Sequence, residues 1–471
     1  MRGIVLVFNS PIYLFCFFPC ILLLSRLMPG RRAKELLLCA GGVLFYAFGK
    51  PFHVLLLLLT AVLHYVLGRR MASARRKKLL CTVGILWDLA LLLGFKYLPF
   101  FITTLNALFR TALPVPAPAQ PAGLSFFTFQ AIAYLTDVYR GKDEGAEDFC
   151  DLLLYLSFFP RLIAGPLVRY SDHAAQLREL RFTREDTAAG LRRFAVGLAK
   201  KLLLADVLGS IADAVFGLAA DELTAPLAWL GALAYTLQLY FDFSGYSDMS
   251  IGMGRVFGFR FPENFDRPYI AASLTEFWRR WHMTLSHWFR AYVYIPLVGN
   301  RRGKGRTAFN KLCVFLLTGL WHGAGWTFVL WGLWHGLFMM LESAGKSTLE
   351  KLSRRRAGRI ALRLYTLLVV LFGFVLFRSA SLSEALGVLG AMFRIHAAPV
   401  GTSALLLRRT LDGRRLFALL CALPLSVCPR VKEPGSAAGE ALQDLAALLL
   451  FVLSLLALSG SGFTPFIYAQ F

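Results

Sequence analysis

The chain has 471 residues, 57% of them hydrophobic, and a mean hydropathy of +0.58, too apolar for a soluble globular protein of this length. Its 51 basic and 28 acidic residues leave a net charge of +23; the bases flank apolar runs, so the positive-inside rule and anionic membrane lipids account for most of them, and nucleic acid is not expected as a partner. The eight cysteines are scattered through mostly apolar runs with no C-x-x-C pair, which reads as small buried hydrophobes rather than disulfides or a metal site.

Apolar runs recur at residues 12–24, 54–67, 79–93, 367–377 and 446–458. Each is shorter than the roughly 20 residues that span a bilayer, so flanking residues must complete the spans, or some runs dip in without crossing. The expected fold is an all-α polytopic membrane protein with roughly 10–13 membrane-embedded helices, some of them re-entrant. The first run follows a single early arginine, Arg2, and no small-x-small cleavage site is clear. It reads as a retained helix rather than a removed signal peptide. Arg31, Arg32 and Lys34 follow it, and a short helical pair at 35–48 and 52–67 returns the chain to GRRMASARRKK at 68–78. Both basic clusters then face the cytoplasm, with the N-terminus outside. Residues 79–97 cross outward to LPVPAPAQPAG at 113–123, which is too rich in proline to be helical. Residues 124–138 return to a cytosolic segment at 139–148.

SFFPRLIAGPLVRY, 157–170, is apolar but broken by Pro160, Gly165 and Pro166, and it embeds Arg161 and Arg169. Broken backbone at membrane depth must be buried in protein or line a watery cavity, so a re-entrant segment is expected here. A cytosolic amphipathic stretch at 177–193 precedes spans at 194–216 and 225–240. Residues 241–290 are then dense in acids, arginines, histidines and aromatics, and polar clusters between apolar helices mark sites. From about residue 358 ordinary apolar helices return. The expected organisation is a single membrane domain, with N-terminal helices (1–123), a catalytic core (124–345) and C-terminal helices (346–471). It shows no internal repeat of the transporter kind.

LLTGLWHGAGWTFVLWGLWHG, 316–336, holds His322 and His335, each between a tryptophan and a glycine, with no acid, lysine or arginine in the run. An imidazole in such surroundings costs solvation energy and stays neutral, the form that accepts a proton. A core histidine bonded to a neighbouring helix explains the same pattern. His282 and His287 lie in WRRWHMTLSHW, with Arg279 and Arg280 in the preceding turn. Those arginines suit a phosphate or carboxylate, or equally an interfacial Trp and Arg belt. The histidine spacings of five and thirteen, without H-E-x-x-H, make a metal site unexpected. There is no G-x-S-x-G elbow; FSGYSD at 243–248 reads as a turn between helices. GMGRVFG at 252–258 has neither a strand before it nor a Walker lysine after it.

Five strings together resemble one family: GLSFFTFQAIAYLTDVYRG (123–141), SFFPRLIAGPLVRY, YFDFSGYSDMSIGMGRVFGFRFPENFDRPY (240–269), EFWRRWHMTLSHWFR (276–290) and LTGLWHGAGWTFVLWGLWHG. They resemble the membrane-bound O-acyltransferase (MBOAT) family, and within it the bacterial alginate O-acetyltransferase branch; the membrane protein of teichoic-acid D-alanylation is a more distant relative. The ending TPFIYAQF, 464–471, is similar to that branch's usual ending. The family's signature histidine maps to His322, its R-W-H histidine to His282, and the branch's following W-H-G to His335. The chain departs from the usual pattern at Ala291, where W-F-R-D-Y has an acid, at Val298 in P-L-G-G-N-R, and at Arg161 in F-F-P-Q, which bears on loop contacts or acceptor choice.

The resemblance implies a multi-pass cell-membrane enzyme with helices ringing a thinned centre. A tunnel there lets a cytosolic acyl thioester, acetyl-CoA, meet a hydroxyl acceptor. That acceptor is an extracytoplasmic polysaccharide, or an SGNH-type acetyltransferase partner that passes the acetyl group on. His322 and His282 are the catalytic candidates, His322 as base or as acyl carrier. Arg279, Arg280, His335, Trp321 and Asp242 are the substrate-binding candidates. No resident cofactor is implied; acetyl-CoA is a substrate. Two rivals stand beside this reading: a long-chain lipid acyltransferase and a non-catalytic transporter of a lipid-linked sugar.

Overall fold

The computed structural model describes residues 6–73, 75–219, 221–297, 299, 303–394, 400–429, 435–461 and 465–467. Among these residues the regular structure is helical, with no strand. Two compact units emerge: Met1–Ala195 with Tyr246–Pro262, and Val196–Gly245 with Glu263–Ile467.

In the first unit a π-turn, Tyr13–Phe17, leads into α1 (Phe18–Leu27). The helices α2 (Gly30–Ala47), α3 (Pro51–Ser73), α4 (Lys77–Leu92), α5 (Leu98–Phe109), α6 (Leu124–Tyr139), α7 (Phe149–Ser157), α8 (Tyr170–Arg178) and α9 (Arg184–Ala199) follow. A π-turn at Leu93–Tyr97 fuses α4 to α5, so this helix runs on to Phe109 instead of ending near residue 97. Pro99 lies just after this π-turn, at the start of α5. The Pro-rich segment is non-helical, as its composition predicts. Residues 158–169 are irregular, matching the expected broken segment; they are buried as far as Val168, whereas Arg169, at the start of α8, is exposed and not embedded. Gly165 belongs there because its backbone lies against Arg161; an added Cβ would stand 2.3 Å from Arg161 Cα.

The chain passes between the units within α9 and within α11. A π-turn at Lys200–Ala205 leads to α10 (Asp206–Phe216), and α11 (Ala225–Val256) follows. That helix is 32 residues long and includes FSGYSD, which is therefore helix interior and not the turn its serines suggest. Its acidic side chains are tolerated because they meet basic partners: Asp242 pairs with the buried Lys201 at 2.8 Å, and Asp248 with the partly exposed Arg193 at 2.8 Å.

The second unit continues with α12 (Leu274–Arg280), α13 (Met283–Phe289), α14 (Gly303–His322), α15 (Trp326–Ala344), α16 (Lys346–Ser353), α17 (Arg356–Arg378), α18 (Leu382–Ala391), α19 (Val400–Thr410), α20 (Gly413–Leu425) and α21 (Ala437–Ser461). Val215, Leu227 and Ala232 from α10 and α11 pack with Leu371, Val375 and Val388 from α17 and α18 as an apolar core. The antiparallel pair α14 and α15 touches backbone to backbone, because Gly319 and Gly332 add no side chain between them. A Cβ on Gly319 would lie 2.3 Å from Phe328 O, and one on Gly332 would lie 2.5 Å from Phe315 O.

Among the described residues, four helices are long and apolar enough to cross a membrane: Pro51–Met71, Lys77–Phe109, Arg356–Arg378 and Ala437–Gly460. In each, flanking residues complete the shorter apolar run seen in the sequence. The chain is an all-α membrane protein. Val298, Asn300, Arg301 and residues 464 and 468–471, all singled out above, lie outside the described residues.

Candidate active site

The histidine candidates converge in the second unit. α12 begins with a capping box: Ser273 accepts a hydrogen bond from the Glu276 N–H at 3.1 Å, and Glu276 accepts one from the Ala272 N–H at 2.9 Å. A second carboxylate, Glu342 of α15, accepts from the Leu274 N–H at 2.6 Å and from the Thr275 N–H at 3.1 Å. Glu342 is buried, and the positive end of a helix is a favourable place for its charge. The helix that precedes His282 is thus tied to the helix that carries His335.

His282 occupies the turn between α12 and α13 with a left-handed backbone, φ +45°, which a non-glycine residue adopts only at a conformational cost. Asn264 holds that turn. Its carbonyl oxygen accepts from the Met283 N–H at 2.9 Å, and its side-chain Oδ1 accepts from the Thr284 hydroxyl at 3.0 Å and the Thr284 N–H at 3.3 Å. The same Oδ1 lies 3.1 Å from His282 Nδ1. An oxygen that already receives a backbone N–H can serve Nδ1 only as an acceptor. Nδ1 therefore carries the proton, and in the neutral ring Nε2 is the basic nitrogen. His282 lies outside the four apolar spans, and burial pushes its imidazole down to about 3, so it is neutral at pH 7.

His322 is the last residue of α14 and is buried. Its ring meets Trp331 and Phe377 edge to face, with centroids 5.0 Å away in both cases, and Trp321 at 4.8 Å. The Trp321 ring also lies 5.9 Å from the His282 ring, and Phe243 of α11 closes on His282 at 4.6 Å. Trp321 thus contacts both histidines. His335 is fully buried one step further on, 4.8 Å from Trp331 and 5.1 Å from Trp278. It abuts α17 where Gly373 leaves room: a Cβ there would lie 2.6 Å from His335 Nε2.

The remaining candidates stand apart from this cluster. His287 and Arg279 are exposed. Arg280 bonds Glu276 at 3.0 Å and Asp266 at 2.8 Å, so two carboxylates balance its charge. Asp242 accepts from Lys201 at 2.8 Å and from the Ile467 N–H at 2.9 Å, while Lys201 also donates to Pro465 O at 3.1 Å. That triad, completed by Asp206, pins residues 465–467 to the unit. Asn264, Glu342, Trp331 and Phe377 were not singled out in the sequence, although Trp331 lies in the same apolar string as His322. Among the described residues, no group of three His, Cys, Asp or Glu side chains is arranged to hold a metal.

His282, His322 and His335 thus lie buried among aromatic rings in an all-α membrane protein. The family model described as MBOAT, membrane-bound O-acyltransferase family, matches residues 145–383. The chain belongs to this family and is an acyltransferase. It is 38% identical to "Probable alginate O-acetylase AlgI" of Azotobacter vinelandii over 99% of this chain and 100% of that relative. It is 34% identical to "Peptidoglycan O-acetyltransferase" of Helicobacter pylori over 84% of this chain and 81% of the relative. It is 28% identical to "Teichoic acid D-alanyltransferase" of Bacillus subtilis over 49% of this chain and 63% of the relative.

Proposed function

We propose that this protein moves an acetyl group from cytosolic acetyl-CoA to a hydroxyl for O-acetylation of an extracytoplasmic polysaccharide, through an SGNH-type acetyltransferase partner. The observation that carries the reading is the packing of His282, Trp321 and His322 into one buried cluster within a family of acyltransferases. The names of the alginate and peptidoglycan relatives supply the acetyl group and the polysaccharide.

His322 takes the proton of the acceptor hydroxyl as that oxygen attacks the thioester carbonyl. The O–C bond forms, the C–S bond breaks, and the proton passes from His322 to the departing thiolate. His282, with Nδ1–H fixed by Asn264, presents Nε2 to position substrate or share that proton. Trp321 contacts both rings and walls the site. His335 supports Trp331, which packs on His322. Asp242 acts at one remove, by anchoring residues 465–467.

The test uses membranes bearing the protein, supplied with radiolabelled acetyl-CoA and an excess of unlabelled long-chain acyl-CoA. The expected result is label in polymer or in a partner protein, undiminished by the competitor. Loss of label to the long-chain competitor would instead make the protein a lipid acyltransferase. Absence of thioester consumption with candidate acceptors present would turn the reading towards a transporter.

A further inference from the structure

The first unit holds a second polar constellation that the acyl-transfer chemistry does not use. Arg161 is fully buried in the irregular segment between α7 and α8. It donates one hydrogen bond, from Nη2 to Tyr155 O. Its Nε and Nη1, which carry one and two N–H groups, have no partner, and no carboxylate faces it among the described residues. Arginine keeps its charge in proteins, and an unpaired buried ion is among the costliest groups a fold can hold. The Tyr155 ring, 4.6 Å from the guanidinium carbon, and the Phe261 ring, at 5.8 Å, offset part of that cost through cation–π attraction but accept no N–H bond in its plane.

His173 of α8 shares the Tyr155 wall. It too is buried, and neither of its ring nitrogens has a partner. Its ring stacks on Phe259 at 4.9 Å and lies 5.6 Å from the same Tyr155 ring, inclined at 51°. Phe158 completes the box, 4.8 Å from Phe259 and 6.0 Å from Phe261. Tyr155 is itself locked by its hydroxyl, which donates to Val168 O at 2.8 Å. A permanent cation and an imidazole, both short of partners and both set against the Tyr155 ring, call for an acceptor-rich anion.

We infer that Arg161 and His173 form an internal binding site for a phosphate group in the first unit. The guanidinium lies over the Tyr155 face while the imidazole is tilted from it, so the two suit acceptor oxygens in more than one plane. A tetrahedral phosphate offers these, and a planar carboxylate does not. The phosphate belongs either to a small soluble ion or to a phospholipid headgroup, and the recognising chemistry is the same for both.

The experiment uses the full chain, purified in detergent and stripped of lipid. Its melting midpoint is followed by tryptophan fluorescence in sodium phosphate, sodium chloride or sodium acetate at equal ionic strength. Phosphate is expected to raise the midpoint of the wild type, and Arg161→Gln to abolish the gain. Arg161→Lys keeps part of it, and His173→Phe needs about tenfold more phosphate for half the gain, as one lost bond to an anion predicts. In a second arm the protein is extracted from phosphatidylglycerol vesicles and weighed by native mass spectrometry. A retained lipid that Arg161→Gln loses, with no response to free phosphate, assigns the headgroup as the source. Equal behaviour of wild type and Arg161→Gln in both arms would overturn the site, and a response to acetate in place of phosphate would overturn its assignment to phosphate. If Arg161→Gln does not fold, His173→Phe decides, because it keeps the charge: an unchanged phosphate response and unchanged lipid retention would then overturn the site.

Discussion

One side-chain oxygen, Asn264 Oδ1, decides which nitrogen of His282 carries the proton. Replacing Asn264 with Leu would leave Nδ1–H and both Thr284 donors without their acceptor, at about 1–3 kcal/mol for each buried group left unsatisfied. The expected result is an inserted, less stable protein with at least tenfold slower transfer, read as acetyl-CoA turnover at matched protein level. His282 also sets a pH dependence. Unfolded, its imidazole takes up a proton below the ordinary value of 6.5; folded and desolvated, it does so only at about 3. The unfolded state therefore binds more protons between those values, and acidification from pH 7 towards 5 weakens the fold. The slope from this group is at most about 1.4 kcal/mol per pH unit. His282→Asn should flatten that part of the melting profile, and an unchanged profile would show that the ring is not buried neutral. His322 and His335 stood out in the sequence because they sit in an uncharged apolar run, although a core histidine explains the same pattern. Asn264 and Glu342 were not, because each acquires its role from a residue 18 or 68 positions away.

The elements matter through how closely they approach. α14 and α15 meet at Gly319 and Gly332, and this pairing fixes His322 at the end of one helix beside Trp331 of the other. Gly319→Ala puts a methyl group where Phe328 O already lies, so the helices must part. The expected cost is about 1–3 kcal/mol, seen as a lower melting midpoint together with a loss of turnover. A midpoint equal to wild type would show that the pair has slack. The apolar helices were readable from hydropathy alone. The length of α11 was not: serines, glycines and an aspartate in a row are turn signals locally, and only Lys201 and Arg193, far away in the chain, make that stretch good helix. The π-turn that extends α4 into α5 likewise leaves no composition signal.

For the molecule as a whole, charge and hydropathy gave the class at once, and the four apolar spans agree with it. The matched family region, residues 145–383, draws on both units, so we propose that they act as one membrane domain. The proposed topology puts Lys78 in the cytoplasm and the segment at 113–123 outside. In a cysteine-depleted variant of intact cells, Ala117→Cys should react with an impermeant maleimide and Lys78→Cys only after the cells are opened; the reverse pattern would invert the protein. We propose that His322 performs the proton transfer. The measurement that tests it compares acetyl-CoA consumption by membranes holding equal amounts of wild type and His322→Ala. Loss of a general base predicts a fall of about 100- to 10,000-fold with the protein still inserted. Consumption near the wild-type rate would contradict the account.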